Sequence, residues 1–131
     1  KNHYEGSGMI GELPSSMDCI AFLDQLKQTF KCGAIRHTEL LTKEIKTVAF
    51  CGGSGSFLLA DAIKSKADIF ITGDFKYHEF FDAENQCLLI DVGHYESEVM
   101  IIDAVHDYLS KKISNFAVLK SETNTNPVRF A

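Results

Sequence analysis

Two residues four apart, His94 and Glu98, have side chains that can both bind a divalent metal, through an imidazole nitrogen and a carboxylate oxygen. They lie in the stretch 87–109, CLLIDVGHYESEVMIIDAVHDYL. An apolar run of strand type, 87–90, passes through Asp91 and Gly93 into a helical pattern that opens with this pair. On a helix a separation of four brings two side chains to within about 40° of each other around the axis. The same face continues through Ile101, Val105 and Tyr108, so it is expected to be buried. An unpaired carboxylate on such a face is costly unless it meets a cation or a metal. A lone His-x-x-x-Glu is more often a surface pair than a metal site. Its position narrows that difference, because the first turn of a helix just past the carboxyl end of a strand is where open α/β sheets gather their ligands.

Two further groups of residues occupy equivalent places. After the apolar run Val48, Ala49, Phe50 comes Gly52-Gly53-Ser54-Gly55-Ser56, followed by a helical pattern over 57–66. A glycine turn between strand and helix leaves amides free to receive an anionic substrate group. It is not a P-loop, since no Gly-Lys-Ser/Thr follows. It approximates a nucleophile elbow, with Ser54 flanked by Gly52 and by Ser56 where a second glycine would stand. A tight βα turn whose glycines only free the backbone fits the same letters. The strand 68–72, DIFIT, leads into Gly73, Asp74, Lys76 and His78. A single aspartate there would read as a helix cap, whereas three ionisable groups beside a glycine turn point to a site with Asp74 and His78 in its wall.

The elements that position these residues are strands apolar throughout alternating with helices. That pattern implies a mainly parallel sheet covered on both faces, a three-layer α/β/α domain. The turns after Cys51, Thr72 and Asp91 then open on one edge of the sheet. Residues 1–15 read as an exposed lead-in segment. Their Gly6-Ser7-Gly8-Met9-Ile10-Gly11 matches G-x-G-x-x-G, but only a few residues precede it and Pro14 follows, so the strand and helix of a dinucleotide site are missing. Ser15 or Ser16 is expected to cap a helix with Asp18 in its first turn and Ile20, Leu23, Leu26, Lys27 and Phe30 on one face, ending near Cys32-Gly33. Residues 34–40 suggest an edge strand with a solvated His37, and 42–44 a polar turn. A long helix is expected from His94 to about Ile113 with His106 on its surface, then a last strand over 116–120 and a tail over 121–131.

A chain of 131 residues is long enough for a real core and reads as one domain, 1–131. The net charge of -5, without a basic run, argues against nucleic acid as main partner. Cys19, Cys32, Cys51 and Cys87 make no C-x-x-C, which points to four free thiols and a cytoplasmic setting. The apolar runs are strand-sized, so no membrane span is expected.

Gly8-Met9-Ile10-Gly11-Glu12-Leu13, Cys51-Gly52-Gly53-Ser54-Gly55, Ile71-Thr72-Gly73-Asp74 with Tyr77-His78, and Asp91-Val92-Gly93-His94-Tyr95 with Ser97-Glu98 resemble, in this order and over nearly the whole chain, the carboxyl-terminal part of the Nif-three-like family. Its members are often described as homologues of a GTP cyclohydrolase I type two. The resemblance implies one half of a two-half α/β fold, two divalent metal ions per complete site (zinc, iron or manganese), and assembly into toroidal hexamers. By position it assigns His94 and Glu98 as metal ligands and puts Ser54, Asp74, Tyr77 and His78 near the metal cavity. The family's other half supplies an adjacent histidine pair and an aspartate, and no His-His occurs here. The chain therefore reads as a carboxyl-terminal part, inactive alone.

The leading expectation is half of a metal-dependent hydrolase site for a small anionic or nucleotide-like substrate. A scaffold or regulatory module with a structural metal is the non-enzymatic alternative. A serine hydrolase with Ser54 as nucleophile and His94 as base ranks below both, because Asp91 is too near His94 in sequence to orient it easily.

Overall fold

The computed structural model describes residues 6–40 and 44–131, so part of the expected polar turn at 42–44 lies outside the described residues. Its centre is a five-stranded sheet in the order β1-β3-β4-β5-β2. The three inner strands, β3 (Glu44–Ser54), β4 (Ile69–Gly73) and β5 (Leu88–Asp91), run parallel. The outer two, β1 (Met9–Asp18) and β2 (Arg36–His37), are antiparallel to their neighbours. The sheet is thus mixed, with the parallel part where the apolar runs placed it.

Alternation along the inner strands divides the core into two layers. Ile69, Ile71, Leu88 and Ile90 face α1 (Cys19–Phe30), and Phe70, Leu89 and Ala49 face α2 (Leu59–Lys64) and the 3₁₀ helix Tyr77–Ala83. Because both faces are covered, these strands carry no polar alternation. The two exceptions in the buried set at the strand ends, Thr72 and Asp91, both belong to the site. Asp68 fixes the start of the sheet: its carboxylate accepts from the amides of Lys46 (2.8 Å) and Thr47 (2.7 Å).

Several expectations are corrected. The segment to residue 15 does not simply lead in, since from Met9 it forms a ten-residue edge strand on β3. The helix after it is capped by Asp18, whose Oδ1 accepts from the amides of Ile20 and Ala21, and not by Ser15 or Ser16, which lie inside β1. Its buried face is Cys19, Phe22 and Leu26, with Ile20 61% exposed. The chain is still extended through Asp18, so the helix starts later and its buried face is rotated, keeping Leu26 buried and Leu23 and Phe30 partly so.

The single helix expected from His94 is two. α3 (His94–Glu98) packs beside β3 and β4, the chain turns at Val99 and Met100, and α4 (Ile101–Lys112) follows with no buried residue. Ile101, Val105 and Tyr108 are 62%, 47% and 62% exposed, so the face read as core is open. The break explains this, since α4 does not inherit the direction in which α3 meets the sheet. His106, read as a surface residue, is with Leu109 among the few partly covered residues of α4. Residues 116–120 form no strand, and Phe116 and Leu119 are exposed. Both free edges of the parallel core are already taken, by β1 and β2.

The tail forms no helix or strand but is anchored: Asn126 Nδ2 donates to Glu96 Oε1 at 2.9 Å, and the Phe130 ring lies on Gly33. All four cysteines are free thiols. Among the described residues no helix is long and apolar enough to cross a membrane.

Candidate functional site

The carboxyl ends of β3, β4 and β5 bring three turns together, 52–56, 73–76 and 91–94. Buried side chains hold them in register. Thr72, fully buried at the end of β4, donates from Oγ1 to the Gly53 carbonyl and accepts from the Gly55 amide, both at 2.9 Å. Ser97 of α3 accepts from the Gly53 amide and donates to the His94 carbonyl, both at 2.8 Å. Asp91 accepts from the amides of Phe75 (3.0 Å) and Gly93 (2.9 Å) and pairs with Arg36, which also donates to the Phe75 carbonyl at 2.9 Å. One buried carboxylate thereby joins the turn after β4, the turn after β5 and the edge strand β2. Outside this set, Glu79 accepts from Ser56 Oγ (3.1 Å) and from the Lys76 amide (2.7 Å); the amide bond, more than that to Ser56, holds its carboxyl below the usual range.

On this frame sit His94, Glu98 and Asp74. His94 opens α3, and its Nε2 lies 3.2 Å from Glu98 Oε2, as the separation of four requires. Its Nδ1 lies 2.6 Å from Asp74 Oδ2. The three side chains are about half exposed, at 48% for His94 and 53% for both carboxylates. The hydrogen bond to Asp74, with the charges of Asp74 and Glu98, raises the His94 pKa above its ordinary 6.5, while partial burial works the other way. Two glycines make the approach possible. A Cβ on Gly53, whose φ is +65°, would lie 2.4 Å from Glu98 Oε1, and one on Gly73 would lie 2.8 Å from the His94 amide nitrogen. An open groove of ≈ 730 Å³ begins at Asp74, His94 and Glu98 and continues between Ile101 of α4 and Phe130 of the tail.

Ser54 and His78 are exposed and line no part of that groove. Neither shares a hydrogen bond with His94, whose two ring nitrogens face Asp74 and Glu98. The serine-hydrolase geometry, a hydroxyl on the imidazole, is therefore not formed, and the carboxylate that orients His94 is Asp74 and not Asp91. The expectation that amides of residues 53–56 receive an anion is also corrected for two of them, since Gly53 and Gly55 donate to Ser97 and Thr72. Thr72 and Ser97 were named in the sequence only as members of the resembling motifs, without a role; the signal that could have assigned one was a polar residue at the end of an apolar strand and another one turn into the following helix. Among the described residues no group of three or more His, Cys, Asp or Glu is arranged to hold a metal ion. A pair of donors is present, with a glycine where a side chain would displace one of them, and this fits half of a coordination shell.

The sequence profile of the Duf34/NIF3 (NGG1p interacting factor 3) family matches residues 1–127. The chain belongs to this family. It is 34% identical over 129 residues to a Staphylococcus epidermidis protein named GTP cyclohydrolase 1 type 2 homolog, covering 95% of this chain and 35% of that one. A Lactococcus lactis protein of the same name is 35% identical over 127 residues, 94% of this chain and 49% of its own length. Among solved structures, a Bacillus cereus protein related to NIF3 superposes with a TM-score of 0.86 at 30% identity, over 96% of this chain and 36% of that one. A Staphylococcus aureus protein gives 0.80 at 28%, over 95% and 42%. This NIF3 chain thus spans between a third and a half of the length of the relatives it matches.

Proposed function

We propose that this chain contributes one half of a divalent-metal site in a NIF3-family hydrolase, with His94 and Glu98 as its metal donors. The observation that carries the reading is the placement of His94 Nε2 and Glu98 Oε2 3.2 Å apart at the mouth of a groove, with the opposite ring nitrogen taken by a carboxylate. A bound metal would supply a polarised water of lowered pKa. The chain's own part is to hold two donors rigidly: Ser97 ties α3 to the β3 turn, and Gly53 leaves room for the Glu98 carboxylate. The groove offers a substrate apolar walls from α4 and the tail. The relatives' name, GTP cyclohydrolase 1 type 2 homolog, is compatible with a small anionic or nucleotide-like substrate. A purely structural metal in a scaffold would use the same two donors and differ in lacking turnover.

The test is zinc titration by calorimetry of the parent chain and of His94→Ala and Glu98→Ala. The parent is expected to bind weakly and each variant to lose the heat signal. Undiminished binding in both variants would refute the assignment.

A further inference from the structure

We infer that Asp74 is a positioning residue for the metal site: its carboxylate accepts a hydrogen bond from the Nδ1–H of His94 and so keeps Nε2 unprotonated toward Glu98. This rests on His94 and Glu98 being the metal donors, and it concerns how the first of them is prepared.

Three features support it. The contact is short, 2.6 Å from Asp74 Oδ2 to His94 Nδ1, and Glu98 lies on the other ring nitrogen, so the two carboxylates have distinct places around one imidazole. A metal-binding histidine generally donates its second N–H to a carboxylate or carbonyl, which fixes tautomer and ring orientation. Next, Asp74 makes the contact from a left-handed backbone. Asp74 has φ +60°, a left-handed conformation that costs a residue with a Cβ about 1 kcal/mol. The pair it gains is half exposed, and an exposed ion pair contributes about 0–1 kcal/mol. Stability therefore gives little reason to place a carboxylate there. Finally, the position is built in: Gly73 lies so close to the His94 backbone that any side chain on it would collide, which fixes Asp74 as the neighbour of the ring.

The role also separates Asp74 from a ligand. With its Oδ2 on the Nδ1 side, it stands across the ring from the gap between Nε2 and Glu98.

The experiment follows the ring nitrogens of His94 by ¹⁵N NMR at pH 9, in the metal-free chain and then with zinc, for the parent, Asp74→Gly and Asp74→Asn. Glycine suits the left-handed backbone, so that variant removes the carboxylate while keeping the fold. Asparagine also tolerates the conformation, but its amide can donate to Nδ1 and reverse the tautomer. The parent is expected to carry its proton on Nδ1 and to shift at Nε2 when zinc is added. Both variants are expected to move proton density to Nε2 and to lose tenfold or more in zinc affinity. An unchanged tautomer in both variants, unchanged affinity, or a zinc shift at Nδ1 in the parent would each overturn the inference. Zinc that moves neither nitrogen in the parent would remove the metal reading itself, and the metal-free spectra would still decide whether Asp74 sets the imidazole.

Discussion

Gly53 is where the backbone and the candidate ligand set meet most closely. Its positive φ is a conformation that L side chains rarely adopt, and its missing side chain is the space next to the Glu98 carboxylate. Gly53→Ala is expected to destabilise the chain by about 1 kcal/mol or more and also to weaken zinc binding, because the methyl group and Oε1 would claim the same place. Denaturant unfolding and calorimetry on the same variant check both effects. A loss of stability with unchanged zinc binding would separate the turn from the site. A second residue-scale expectation concerns Cys87, whose thiol burial pushes from the ordinary 9.0 up to about 12, with the nearby Asp68 charge acting in the same direction. Above pH 9 the unfolded thiol releases its proton while the folded one retains it. This contribution is therefore whole below pH 9 and is lost as pH rises toward 12. Between pH 8 and 10 the parent should lose about 1.4 kcal/mol more than Cys87→Ala, read from urea midpoints at the two values.

At the scale of elements, the two helical faces read from the sequence were both displaced, and the reasons are physical. In α1 the periodic residues Leu23, Leu26 and Phe30 do face inward at least in part, but the helix phase depends on where it begins, and Asp18 begins it. Serine, threonine and aspartate caps look alike in sequence, and the choice among them was made by β1, which runs through Ser15 and Ser16 in its bulge and pairs again with β3 at Met17 and Asp18. In α4 the apolar stripe is genuine, but the segment lacks a surface to bury it. The parallel strands were legible because burial on both faces writes them as unbroken apolar runs. The edge strand β2 falls inside the 34–40 segment read as one, but its antiparallel partner β5 and the pairing of β1 with β3 depend on tertiary contacts and leave little trace in composition. Of the site, the turns and the pair four apart could be read from spacing, whereas the contact of Asp74 with His94 bridges twenty positions and required the topology. Two substitutions measure the corrected faces. Phe22→Ala removes a side chain 5% exposed and is expected to cost about 3–5 kcal/mol. Val105→Asp, at 47% exposure, is expected to change stability by no more than about 0.5 kcal/mol. A large loss at Val105 in thermal unfolding would mean that α4 is packed in solution.

On the scale of the whole molecule, the open face of α4 and the two-donor site point the same way. Ile101, Val105 and Tyr108 leave an apolar surface at the helix that follows the candidate ligands, while His94 and Glu98, as the proposed donors, would fill only two positions of a metal ion. Durable zinc sites use at least three protein ligands, and a helix start is a slightly unfavourable place for a cation. Protonation opposes binding further, because the raised pKa of His94 makes the proton a stronger competitor as pH falls toward and below neutrality. The 131-residue chain is therefore expected to lose its metal on dialysis, more readily at pH 6 than at pH 8. A full-length family member, in which this region is between a third and a half of the chain, is expected to retain metal through the same treatment. Replacing its residues equivalent to His94 or Glu98 by alanine should abolish that retention. Metal analysis before and after dialysis, on both proteins at both pH values, decides the matter. Two equivalents held by the 131-residue chain alone would mean that its own residues complete the coordination, and Asp74 and His78 would be the first to substitute.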